Sequence, residues 1–241
     1  MMRNLAKWLL LAGQLLLVPA LLLTVFEWTA LDGRHHMELH RAQGAAQATG
    51  LSDEGVARAS DTLLRYLRGE SVDLFYTDQV YGETRRVFED KEALHMRDVL
   101  GLFQIGRALR YWLFAGGMLF SAMGMLIPGA GKRGSASRKN LRIWKALPWA
   151  LLVASLCWAA LLGLGALFAA SSFDRAFTLF HELLFTNELW MMDNSQLMIR
   201  MLPQPFFMAL AGRIARFCGL ALAALIALGA WGTRRARKDN P

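Results

Sequence analysis

Cysteine is nearly absent: the chain of 241 residues holds two, Cys157 and Cys218. Both fall inside long apolar runs, so no disulfide framework braces the polar parts of the chain. There is no phosphate loop, no CxxC pair and no Ser-nucleophile motif, so the usual carriers of nucleotide, thiol-redox and serine acyl-enzyme chemistry are missing. Internal repeats are missing too, as are low-complexity tracts beyond the Ala and Leu richness of the apolar runs. Acids are fewer than bases, 19 against 27, and one stretch has none. GKRGSASRKNLRIWK holds Lys132, Arg133, Arg138, Lys139, Arg142 and Lys145 without a single Asp or Glu. Histidine is scarce as well: the five present fall in two polar segments.

Apolar residues are what the chain has in excess, at 55%, well above an average soluble domain. A helix of ~20 apolar residues spans the hydrocarbon core of a bilayer. Four stretches qualify, at residues 8–28, 109–128, 146–170 and 206–231. The first follows a basic start, Arg3 and Lys7. Its apolar run exceeds the ~7–15 residues of a signal peptide and no small-residue cleavage motif follows, so a retained anchor is expected. Neither end carries a lipidation motif.

Charge sets the orientation. The acid-free loop, the basic start and the final Arg234, Arg235, Arg237 and Lys238 share one side of a four-span layout. The positive-inside rule makes that side cytoplasmic. The surplus of basic residues is thus a topology signal in juxtamembrane clusters, and a nucleic-acid partner is not expected. The prediction is an all-α membrane protein, one integral membrane domain over residues 1–241. It has four transmembrane helices, both termini cytoplasmic, and a mostly helical extracytoplasmic cap from residues 31–107 and 171–205.

Within the cap, SDEGVARASDTLLRYLRG reads as an amphipathic helix. Ser52 stands as N-cap, Val56, Ala59, Leu63, Tyr66 and Leu67 recur at helical spacing, and Gly69 is the stop. VDLFYTDQVYGE has no helical period and reads as an extended loop or short hairpin, in a composition favoured at the membrane surface. From about Glu89 the helical period returns and runs into the second span.

On that helix Glu92, His95 and Asp98 stand three apart, on adjacent turns of one face. A carboxylate there can hold one imidazole nitrogen and set its tautomer and basicity. The same spacing is equally that of a solvated polar face. In FDRAFTLFHELLF, His181 sits among phenylalanines and shares a face with Phe177, Leu184 and Glu188. Partial desolvation there lowers an imidazole pKa and keeps it neutral, fit to act as base or ligand; a bond to a backbone carbonyl would also satisfy it. The topology puts both histidines on the same side of the bilayer at similar depth.

Other features carry less. In HHMELH, His36 and His40 have the i, i+4 spacing of a metal pair. The pattern lacks the Glu position of HExxH and no further ligand cluster follows, so no metal is expected. Arg213 and Arg216 lie in the fourth span, where a cation is costly. They call for a lipid ester, a carboxylate such as Glu27 or Asp193, or a route to the interface by snorkelling. Gly163 and Gly165 suggest close helix packing.

EALHMRDVLGLF before one span and FHELLFTNELWMMDN…LPQPFF before the last resemble the bacterial lipoprotein intramolecular transacylases, the Lit family of four-span membrane proteins. The family's E-x-x-H-x-x-D-V pattern falls on Glu92, His95, Asp98 and Val99. Its second motif falls on Phe180, His181, Phe185, Asn187, Trp190, Asp193 and Pro203. Glu188 and Asn194 stand where the family often has proline. The resemblance implies an outward-facing site in the bacterial cell membrane. There the sn-2 acyl chain of a diacylglyceryl-cysteine lipoprotein moves onto its own N-terminal amine, giving the lyso-form lipoprotein. The implied partners are the diacylated lipoprotein and membrane lipid, and no cofactor is implied. His95 and His181 would be catalytic. His95 would act as base, held by Glu92 or Asp98, and His181 as acid or oxyanion donor, or the two with roles exchanged. Asn187, Trp190 and Asp193 would orient or bind the substrate. Two histidines at one depth also suit a bis-histidine b-type haem in an electron-transfer subunit, and a non-catalytic membrane scaffold is the third reading.

Overall fold

The computed structural model describes residues 2–127 and 146–238. The acid-free loop carrying Lys132, Arg133, Arg138, Lys139, Arg142 and Lys145, and the end of the second apolar stretch at Pro128, lie outside the described residues. The chain is mostly helical. The first half holds α1 (Met2–Ala30), α2 (Gly33–Ala42), α3 (Ala45–Thr49) and α4 (Asp53–Arg68). A hairpin follows, β1 (Thr77–Val80) and β2 (Glu83–Arg86), and then α5 (Asp90–Leu126). The second half holds α6 (Leu147–Ser171), α7 (Phe173–Leu184), α8 (Leu197–Met201) and α9 (Gln204–Lys238).

Among the described residues three helices are long and apolar enough to cross a membrane: Asn4–Ala30, Leu147–Ser171 and Gln204–Lys238. The second expected span is the latter part of α5. It is not one of the three; Arg110 and Tyr111 interrupt its apolar run.

The chain divides into two compact units. One comprises Met1–Phe26, Arg107–Leu167 and Arg216–Pro241. Here α1 and the latter part of α5 approach closely. A Cβ at Gly117 would stand 2.9 Å from the Gly13 carbonyl oxygen, and one at Gly124 would stand 3.0 Å from that of Ala6. Without side chains at these points the backbones meet directly, as in membrane helix pairs. Gln14 donates to the Ser121 hydroxyl at 3.3 Å, and the Trp158 indole donates to the Leu15 carbonyl at 3.1 Å. Gly163 and Gly165 do not do what their spacing suggested: a Cβ at either would meet nothing within 4 Å among the described residues. Both lie on a part of α6 that faces outward beside exposed Leu161, Leu164 and Leu167.

The other unit comprises Glu27–Gly106 and Phe168–Ala215, and it carries every residue of the cap discussed below. α4 forms as its sequence predicts. The Ser52 hydroxyl accepts from Gly55 N at 3.0 Å, Gly69 ends the helix at φ 81°, and Val56, Ala59, Leu63, Tyr66 and Leu67 are all buried. Their partners in one core include Leu74, Val80, Phe88, Met198, Met201 and Phe206. Complete burial of Phe88 or Phe206 contributes about 1.5–3 kcal/mol each.

The stretch read as loop or hairpin is a hairpin, and it adds two strands to an otherwise helical fold. β1 and β2 pair antiparallel with Val80 opposite Glu83. Tyr81 and Gly82 form its turn at φ 52° and 83°, the positive pair that a two-residue hairpin requires. Tyr81 packs over Gly50, where a Cβ would come within 2.5 Å of its ring, and its hydroxyl donates to the Ala48 carbonyl at 3.1 Å.

Candidate active site

The Glu92 side chain caps the start of α5 at Asp90. Its Oε2 accepts from Glu89 N at 2.6 Å, satisfying an amide that the helix leaves open. The same carboxylate is fully buried, and its Oε1 accepts from Met198 N in α8 at 2.6 Å. Burial raises Glu92 above the ordinary carboxylate range, while the two amides pull the other way. One side chain thus joins the starts of α5 and α8. This corrects the expectation that Glu92 holds His95: both its oxygens are spent on backbone amides. Asp98 does not bond the ring either. Its Oδ2 accepts from the Asn187 side-chain amide at 2.9 Å, and it acts on His95 only through its charge.

One turn past Glu92 along α5, His95 is buried, and its Nδ1 has no hydrogen-bond partner among the described residues. α7 brings His181 to it. The two rings lie 6.1 Å apart, centroid to centroid, and 28° from parallel. His181 Nδ1 lies 2.7 Å from the Phe177 carbonyl. A carbonyl only accepts, so Nδ1 carries the proton and neutral His181 keeps its lone pair at Nε2. Around His181 stand Phe177 at 4.1 Å, Trp190 at 5.0 Å, Phe180 at 5.3 Å and Phe185 at 5.5 Å. Phe185 also meets His95 edge-on at 5.2 Å.

This apolar collar explains the electrostatics. Desolvation lowers His95 to about 4, helped by the neighbouring His181 and opposed by Asp98. Desolvation lowers His181 too, against its bond to Phe177. Both imidazoles are therefore neutral at pH 7.

The remaining expected residues lie in the segment between α7 and α8. Asn187 Oδ1 accepts from Leu189 N at 3.0 Å while its amide bonds Asp98, so it ties this segment to α5. Trp190 packs on His181. Asp193 is exposed and turns outward. Its Oδ1 accepts from Ser195 N at 2.7 Å; the Ser195 hydroxyl first, and then this bond, lower its pKa. Asp193 shapes the turn into α8. Lys91 was not singled out in the sequence, yet its Nζ donates to the Met191 carbonyl at 2.5 Å. The available signal was its position one turn before His95.

Away from this pair, Arg213 bonds Asp32 at 2.7 Å, a carboxylate that the sequence did not single out. His36 Nε2 donates to the Ala30 carbonyl at 2.8 Å. His40 stacks on Phe206 at 4.9 Å, and among the described residues neither of its ring nitrogens makes a well-formed hydrogen bond. Among the described residues, no three His, Cys, Asp or Glu side chains converge as metal ligands.

A family model described as lipoprotein intramolecular transacylase Lit matches residues 10–207. No curated protein matches the chain. Among solved structures, the membrane integral lipoprotein intramolecular transacylase Lit from Bacillus cereus is similar with a TM-score of 0.64 at 19% identity, covering 98% of each chain. A form of that protein with one histidine replaced by arginine gives a TM-score of 0.62 at 19% identity, over 99% of this chain and 95% of that one. A histidine-to-alanine form gives 0.61 at 20% identity, over 98% and 96%. At such identity the likeness is one of fold.

Proposed function

Since the chain belongs to the lipoprotein intramolecular transacylase family, Lit, and is thus an acyltransferase, we propose that it moves the sn-2 acyl chain of a diacylglyceryl-cysteine lipoprotein onto that lipoprotein's own N-terminal amine. The product is the lyso-form, N-acylated and S-monoacylated. Nucleophile and ester belong to one molecule, so the protein supplies orientation and proton handling and needs no nucleophile of its own.

The observation that carries this reading is the pair of buried, neutral imidazoles with His181 Nε2 left basic. Nε2 takes the proton from the amine as it attacks the ester carbonyl. The C–N bond forms, the C–O bond to glycerol breaks, and the proton passes to the glycerol oxygen. Amide and alcohol result with no net proton gained or lost. Neutral His95 retains one N–H, a donor for the oxyanion that develops at the ester carbonyl. The hydrogen bond to Phe177 thus favours His181 as base and His95 as donor, the exchanged form of the roles first expected.

The reading includes four spans, with the latter part of α5 as the second. α5 has 37 residues and at 1.5 Å per residue is about 55 Å long, enough to cross the ~30 Å core and project beyond it. Leu109, Trp112, Phe114, Leu119 and Leu126 on it are exposed, a density of apolar surface that suits lipid rather than water. With the basic end of α9 in the cytoplasm, the histidine pair faces outward in the cell membrane, where the lipoprotein N-terminus lies.

The test is mass spectrometry of N-terminal lipopeptides from a bacterium that makes diacylglyceryl lipoproteins, with and without this chain. The expected product is N-acyl, S-monoacyl, of unchanged total acyl mass, and absent with His181→Ala or His95→Ala. Good membrane expression with no such product overturns the proposal.

A further inference from the structure

The geometry points to Lys91 as a positioning residue that holds Trp190 over His181 and so keeps acyl transfer ahead of hydrolysis of the same ester. This rests on the transacylase reading above and names a control on the outcome of that reaction.

The segment from Phe185 to Gln196 has no regular secondary structure. Its own backbone bonds are local, Met191 N to Glu188 O at 3.1 Å and Met192 N to Trp190 O at 3.0 Å. α5 anchors it at two points. Asp98, three residues after His95, accepts from Asn187. Lys91, four residues before His95, donates to the Met191 carbonyl. Trp190 lies between the two anchors in sequence, and the carbonyl that Lys91 grips belongs to the residue after it. The ring so placed packs 5.0 Å from the His181 ring. Lys91 also carries the charge that helps keep nearby Asp193 ionised, a second attraction to the same segment.

An exposed lysine usually adds little to stability. Lys91 is exposed, so its removal leaves the core intact. What it fixes is one aromatic side chain against one imidazole. That matters because a base able to deprotonate an amine can also activate water. Water attack on the sn-2 ester breaks the same C–O bond and releases a free fatty acid and a glycerol hydroxyl, leaving the amine unacylated. Excluding water is how a closed site suppresses this side reaction.

The experiment compares Lys91→Met and Lys91→Arg with the parent, each full chain in vesicles with a synthetic diacylated lipopeptide. N-acyl product and free fatty acid are both counted. For Lys91→Met we expect transfer to slow about tenfold or more, on the scale of small misplacements near reacting groups. KM should be unchanged, the fatty-acid share should rise, and the melting temperature should hold. Lys91→Arg, which keeps a donor, restores the parent ratio. Deuterium uptake by peptides covering residues 185–193 is expected to rise in Lys91→Met and return in Lys91→Arg. A slower rate with an unchanged fatty-acid share overturns the proposal, as does unchanged deuterium uptake. If the parent forms no N-acyl product, the transacylase reading has failed. Uptake still decides whether Lys91 holds the segment.

Discussion

His181 donates a hydrogen bond from Nδ1 to the carbonyl of Phe177, one turn earlier in α7, at 2.7 Å. That single bond chooses the tautomer, leaves Nε2 as the basic nitrogen and turns the ring toward His95, 6.1 Å away. His181→Ala is therefore expected to lower transacylation by about 10²–10⁴-fold, the usual contribution of a positioned base, with the protein still folded. His95→Ala is expected to cost a comparable factor through the lost donor to the oxyanion. Lipopeptide mass spectrometry at matched membrane expression checks both. Parent rates in either variant would remove that histidine from the mechanism.

The pH dependence of activity separates the histidines from the substrate amine. His95 is lowered to about 4, and desolvation lowers His181 as well, so neither titrates at the ordinary histidine value. The amine must lose its proton before it can attack, and an α-amino group ionises near ~7.7–8.0. Activity should thus fall about tenfold per pH unit on the acid side of the amine's pKa. It should show no separate step at the ordinary histidine value. Rate against pH on a diacylated lipopeptide measures this, and a break near 6.5 would contradict neutral, desolvated imidazoles.

Glu92 is a fastener of the cap. It accepts from Glu89 N and Met198 N, both at 2.6 Å. Glu92→Ala strands two amides, at about 1–3 kcal/mol for each one left buried without a partner. The expected outcome is a clear loss of thermal stability, with activity lost as a consequence of unfolding. Thermal melts in detergent read it. A Glu92→Ala protein that melts with the parent but is inactive would assign Glu92 a direct chemical role instead.

Acid should weaken the fold through the second buried pair. His40 is lowered to about 4 and His36 is lowered too, burial being the main cause for both. An unfolded histidine takes up a proton near 6.5, whereas folded His40 resists until about 4. The unfolded state therefore binds more protons between those values, and stability falls as pH drops through that window. His40→Phe keeps the stack on Phe206 and removes the titration. Its melting temperature is expected to vary less between pH 7 and 4 than that of the parent. An identical pH slope would mean that His40 does not contribute.

Much of this was legible before any coordinates. The length of the apolar runs, the Ser52 cap, the Gly69 stop and the buried stripe of α4 are written within a few residues of one another, where helix geometry alone decides. The two histidines stand out for the same reason, each in a short motif beside an apolar helix. The glycine contacts were not legible. Gly163 and Gly165 look like a packing motif, but among the described residues a Cβ at either meets nothing within 4 Å, whereas Gly13, Gly117 and Gly124 meet close neighbours. Which face of an apolar helix finds a partner is a property of the assembled bundle.

The sequence by itself determined that this chain is mostly helix with long apolar runs, that its polar cap carries two motif histidines, and that α4 starts and stops where it does. Only the tertiary structure decided the partners. Glu92 reaches Met198, Asp98 reaches Asn187, Lys91 reaches Met191 and Arg213 reaches Asp32. Each pair is about 90 residues or more apart in the chain, and no periodicity spans such a distance. A carboxylate three residues from a histidine can bond it, but it can equally bond whatever amide the fold brings closer. Here two backbone amides, that of Met198 buried, claimed Glu92, because leaving a buried amide unpaired costs more than leaving an imidazole unheld.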